Sequence, residues 1–140
     1  MNYDPHPERE ARVSSAMTAI AALLPLSLDK THKRELLSVC IWKITEADGK
    51  WNLRFRSEAA MAKSGSSDLR HEHIYTRKHL VDRLLDGESV ELVMAHTIAC
   101  VVTAAEAKAL DGIPADIQGW ARYRKARIRV RDLATGDWIA

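Results

Sequence analysis

Thr97-Ile98-Ala99-Cys100-Val101-Val102-Thr103-Ala104-Ala105-Glu106 holds two secondary structures end to end. Thr97 to Val102 is apolar and rich in β-branched residues, the composition of a buried strand. Thr103 and Glu106 then have the spacing of a capping box, in which each side chain satisfies the other residue's backbone N–H at a helix start. Gly112 supplies the stop. A buried strand running straight into a capped helix puts both α and β structure in the second half of the chain.

Upstream the rhythm is helical. Val13, Ala16, Met17, Ile20 and Leu24 recur at helical spacing from Glu8, and Pro25 ends the pattern. Asp29 is placed to cap a second helix with Leu36, Leu37, Cys40, Ile41 and Ile44 on one face, closed by Asp48-Gly49. Trp51, Leu53 and Phe55 alternate with Lys50, Asn52, Arg54 and Arg56, predicting a half-buried strand with a basic outer face. Ser57-Glu58 reads as a short helix start, and Gly65-Ser66-Ser67 as a break.

Beyond the break, Leu69 to Tyr75 reads as a strand, and Thr76 caps a helix carrying Leu80, Val81, Leu84 and Leu85 up to Gly87. Val90 to Met94 suits helix or strand. Pro114 opens a predicted helix with Ile117, Trp120 and Tyr123, and Arg127 to Arg131 alternates as a strand before the Thr135-Gly136 turn. The expected class is α+β, with a helical N-terminal half and a small mixed sheet with short helices in the C-terminal half. The 140 residues read as a single domain: a loose arm at 1–7, a helical front at 8–64 and an α+β half at 68–140.

Two cysteines supply neither a disulfide framework nor a four-cysteine zinc site. The uncharged run Leu92 to Ala105 is too short to span a bilayer, and the expected setting is soluble and cytoplasmic. No glycine-rich phosphate loop, dinucleotide fingerprint or nucleophile elbow occurs.

The net charge of +2 is unevenly placed. Residues 1–50 and 51–100 each balance seven bases with seven acids, whereas residues 101–140 carry seven bases against five acids. Arg122, Arg124, Lys125, Arg127, Arg129 and Arg131 lie together with no acid among them. With Arg54 and Arg56 they make a candidate phosphate-binding surface, and Trp120 and Tyr123 could stack a base. The same row suits an acidic protein partner or a charged, aggregation-resistant sheet edge.

Arg70-His71-Glu72-His73 is the densest group of reactive side chains. On a strand His71 and His73 share a face, half of a possible metal site, with His79, His96 and Glu106 as candidates to complete it. Glu72-His73-Ile74-Tyr75-Thr76 resembles the opening motif of HNH-type (ββα-metal) nucleases. Cys100 to Lys108 is similar to that family's closing strand-to-helix segment. The resemblance implies an endonuclease in which His73 is the general base and Glu72 a ligand to Mg²⁺ or Mn²⁺. Ala107 stands where the family has a closing histidine or asparagine, so the likeness also allows a catalytically impaired relative.

Two functions remain open from the sequence. One is a nucleic-acid-binding protein, an HNH-like endonuclease or its impaired relative. The other is a non-enzymatic inhibitor or adaptor in phage–bacterium conflict that turns its arginines onto an acidic partner. A homodimer through the amphipathic front helices is compatible with both.

Overall fold

The computed structural model describes residues 2–140. Among the described residues, seven helices and a four-stranded mixed sheet form an α+β architecture with its long helices in the N-terminal half. Helices α1 (Arg9–Leu23) and α2 (Lys30–Thr45) pair as the front of the molecule. Asp29 caps α2 by accepting from the Thr31 and His32 backbone N–H groups. The Lys33 ammonium donates to the Leu26 carbonyl at 3.0 Å, past the end of α1, where the helix dipole favours a cation. Ile20, Leu37, Ile41 and Ile44 meet Leu80, Val81, Leu84 and Val93 in one buried cluster.

Those last residues come from α4 (Arg77–Leu85) and α5 (Val90–Ala95), which Thr76 and Ser89 cap. The buried face of α2 is therefore Leu37, Ile41 and Ile44. Leu36 is 45% exposed, so the expected face is rotated, and Cys40 sits half-buried at its margin.

The sheet order is β2-β3-β1-β4, formed by β1 (Phe55–Ser57), β2 (Leu69–His73), β3 (Ala99–Thr103) and β4 (Val130–Asp132). β3 is buried at every residue, as its apolar run predicts, and pairs parallel with β1 and antiparallel with β2. β1 pairs antiparallel with β4. The short α3 (Glu58–Met61) follows β1, with Ser57 as its cap. On one face of the sheet, Cys100, Val102 and Val130 pack with Leu110 of α6 (Ala104–Asp111) and Tyr123 of α7 (Trp120–Lys125). On the other, Leu69, Ala99 and Val101 pack with Leu53 and Ala60. The Thr103–Glu106 capping box forms as its spacing predicts.

Three expectations need correction. The strand predicted from Trp51 starts only at Phe55, because Asn52 donates to the Asp4 and Asp48 carbonyls and holds residues 48–52 as a loop. The helix predicted from Pro114 starts only at Trp120, after a turn closed by Ile117 N–H on the Pro114 carbonyl. Gly119 breaks it, with φ +72, and any Cβ there would lie 2.7 Å from the Tyr75 hydroxyl.

The arm before α1 is tied rather than loose. The buried Asp48 carboxylate accepts from the Tyr3 hydroxyl at 2.6 Å, from the His6 N–H at 2.8 Å and from the Arg9 guanidinium. Burial and the Asp48 hydrogen bond push the Tyr3 phenol up to about 12.

Candidate nucleic-acid interface and the histidine cluster

β2 divides its reactive side chains between its two faces. His71 and His73 share one, as alternation requires, and Glu72 takes the other. The histidines are 8% and 5% exposed and lie against the last turn of α2. His73 Nε2 is 2.9 Å from the Thr45 hydroxyl, and His71 Nε2 is 3.0 Å from the same oxygen. His71 Nδ1 is 3.0 Å from the Lys50 carbonyl, which can only accept.

That carbonyl fixes the proton order. Neutral His71 carries its hydrogen on Nδ1, so its Nε2 accepts from the Thr45 hydroxyl, whose oxygen in turn accepts from His73 Nε2–H. The Trp42 carbonyl, 3.1 Å from Thr45 Oγ1, is the alternative acceptor for that hydroxyl. The Trp42 ring closes the cluster, 4.5 Å from His71 and 5.6 Å from His73 between centroids, with the Arg77 guanidinium 5.1 Å from its ring centroid. Burial pushes both imidazoles toward the neutral form. His73 falls to about 3, with His71, Arg77 and Arg122 adding to the burial effect.

On the opposite face Glu72 accepts from both terminal nitrogens of Arg122, at 3.3 and 3.2 Å. Arg122 also donates to the His73 carbonyl at 3.1 Å and is 3% exposed. Burial raises the Glu72 carboxyl against the pull of Arg122. His71 and Glu72 therefore do not converge on one point, and the residues do not fit the expected Mg²⁺ or Mn²⁺ ion. No group of three histidine, cysteine, aspartate or glutamate side chains near enough to share a metal occurs among the described residues.

The reserve ligands are engaged elsewhere. His79 and His96 stack on Tyr75, with centroids 6.1 and 4.3 Å away, and His96 Nδ1 meets Arg83 at 2.7 Å. Glu106 accepts from Thr103 N–H and from the Ser57 hydroxyl.

The arginines also separate into two groups. Arg122 is committed to Glu72, and Arg54 forks onto the buried Asp132 at 2.8 and 2.6 Å, pulling that carboxyl down to about 2. Arg56 is 7% exposed and donates to the Trp51 carbonyl, so the expected basic outer face of β1 is turned inward. Its Cα partner across the ladder is Arg131. No carboxylate lies within ion-pair distance of Arg56 among the described residues, and Arg56 Nε has no hydrogen-bond partner there.

Arg124, Lys125, Arg127, Arg129 and Arg131 are exposed around the α7–β4 corner. Of these, Arg129 reaches a carboxylate, Glu58 at 3.2 Å, whereas the other four have no ion-pair partner among the described residues. Arg129 and Arg131 flank Trp138, with their guanidinium carbons 4.1 and 5.7 Å from its ring centroid. The expected three-arginine strand is shortened to Val130–Asp132, because Arg127 has φ +58 and turns the chain out of α7. Ile128 N–H returns to the Tyr123 carbonyl at 3.0 Å, a helix end that glycine ordinarily serves.

Thr45, Trp42 and Trp138 lacked any sequence signal as site residues. Thr45 is an ordinary helix-interior residue by pattern, and its role depends on α2 ending beside β2. Comparison with known proteins gives no match among family models, curated proteins or solved structures.

Proposed function

We propose that this chain is a nucleic-acid-binding protein whose contact surface is the α7–β4 corner. The observation that carries the reading is the set Arg124, Lys125, Arg127 and Arg131, exposed around the α7–β4 corner without carboxylate partners among the described residues. Four unpaired cations on one corner make a local positive field, and guanidinium groups fork onto phosphate. Trp138 is 42% exposed and offers a ring already favoured by two cations. Arg127 adds a backbone argument. A non-glycine residue with positive φ costs about 1 kcal/mol, and backbone strain at an exposed arginine fits a use for its side chain.

The reading is one of binding. His73, expected as a general base, is buried against Thr45 with its Nε2 occupied, and Glu72 is held by Arg122. The test is fluorescence polarisation of a labelled duplex across a salt series. Affinity should fall steeply with salt. Replacing Arg127 and Arg131 together by alanine should weaken binding about tenfold and reduce the magnitude of the salt slope by about two. Binding indifferent to salt, or unchanged in the double variant, would overturn the proposal.

A further inference from the structure

Beyond the basic corner, the opposite edge of the sheet carries a second cationic surface with different walls. Trp42, Lys50, Trp51, Ser66, Arg70 and His71 line a cleft of about 400 Å³ along β2, with Leu69 in its floor. That volume lies in the range of small-ligand sites. No carboxylate lines it among the described residues. The nearby Glu46 is taken up by the Trp42 indole N–H and by Lys43, and Asp68 pairs with Lys63 at 3.1 Å.

The two cations of the cleft are differently held. Lys50 Nζ sits 4.9 Å from the Trp51 ring centroid and reaches no carboxylate among the described residues. Arg70 uses Nη1 on the Leu69 carbonyl at 2.8 Å and the Ser67 carbonyl at 3.4 Å. Its other guanidinium donors make no hydrogen bond among the described residues. Trp42 is held by its indole hydrogen bond to Glu46 and by contact with the His71 ring, 4.5 Å away between centroids.

We propose that this cleft binds a nucleoside monophosphate unit, its base stacked on Trp51 and its phosphate held by Lys50, Arg70 and the Ser66 hydroxyl. Stacking of a base over Trp51 exchanges the ammonium for a second π-face and frees Lys50 to move onto the phosphate. Arg70 supplies the charge-assisted bonds that a compact ammonium cannot make in pairs. Because β2 and β4 are opposite edges of the sheet, this cleft stands independently of the α7–β4 corner.

The unit has two sources, a free nucleotide or the phosphorylated end of a strand. Calorimetric titration of the full chain with adenosine 5′-monophosphate, adenosine, inorganic phosphate and a 5′-phosphorylated oligodeoxyadenylate separates them. Saturable one-to-one binding of the monophosphate is expected, with adenosine and phosphate each weaker. Lys50→Ala and Arg70→Ala should each weaken it about tenfold, the loss expected for a charge-assisted hydrogen bond, with melting temperatures unchanged. Tighter binding of the oligonucleotide assigns the cleft to strand ends, and equal or weaker binding assigns it to the free nucleotide. Absence of heat with both at millimolar concentration would overturn the proposal. So would phosphate binding as tightly as the monophosphate, or undiminished affinity in both variants.

Discussion

Thr45 and His73 join helix α2 to strand β2 through a single hydrogen bond, 2.9 Å long and fully inside the protein. Thr45 holds His71 through the same oxygen, so one hydroxyl satisfies two buried imidazoles. Removing it leaves two donors or acceptors without partners. Thr45→Val, nearly the same shape, should therefore lower stability by about 1–3 kcal/mol, as read by urea denaturation. A midpoint equal to the parent's would show that the hydroxyl is not needed.

The histidines make the fold sensitive to acid. His73 is held down to about 3 chiefly by burial, whereas the unfolded chain's histidine titrates near 6.5. Between those values the unfolded state binds the extra proton, so stability is full above about pH 6.5 and falls as pH drops through this window. The loss is at most about 1.4 kcal/mol per pH unit for such a group. His71 acts in the same direction. Glu72 acts in the opposite one, because its raised carboxyl takes up a proton in the folded state first. Denaturation midpoints at pH 7 and pH 5 should differ in favour of pH 7. The gap should narrow in His73→Gln, and equal gaps in parent and variant would remove His73 as the cause.

Duplex binding and the histidine cluster should be separable. His73→Ala opens a void beside Trp42 and leaves Thr45 short of a partner, so its melting temperature should drop by several degrees. Its affinity for duplex per folded molecule should match the parent. A selective loss of plasmid nicking with Mg²⁺ or Mn²⁺, with no loss of stability, would instead restore His73 to catalysis.

Arg127 offers two readouts of opposite sign. Glycine accepts φ +58 without steric cost, so Arg127→Gly should raise stability by about 0.5–1 kcal/mol in thermal denaturation. The same change removes a cation from the proposed phosphate surface and should weaken duplex binding. Improved stability with unchanged binding would confine Arg127 to a turn.

Glu72 and Arg122 form a buried charge pair whose halves are costly alone. Glu72→Ala strands the Arg122 guanidinium, and a loss of about 3–5 kcal/mol is expected. Replacing both by leucine should recover most of it. A single variant as stable as the parent would mean that Arg122 finds its partner in water.

The elements with a strong local signature could be read in advance. β3 announces itself by an apolar run rich in β-branched residues, and α2, α4 and α6 by capping residues that serve those roles in the structure. The His71/His73 face followed from strand alternation alone. What sequence could not supply was pairing across the chain. Alternation around Arg54 and Arg56 looks the same whether the basic face meets water or the interior, and only the strand order places Arg56 inside. Arg122 likewise sits in a run of exposed-looking bases, yet Glu72 draws it inward from fifty residues away. The turn before α7 was hidden because the requirement for Gly119 comes from Tyr75, a distant contact.

β1 has a consequence for how the chain comes together. Phe55 takes its ladder partners from Cys100 and Asp132, both far downstream, while α1 and α2 find each other locally. During synthesis the front helices can associate while β1 waits with both edges open. Loop closure over such separations costs chain entropy, so sheet pairing is expected to follow the local pairing of α1 with α2. Until β3 and β4 flank β1, Arg56 has no interior to enter, so its burial depends on strands that the chain supplies last.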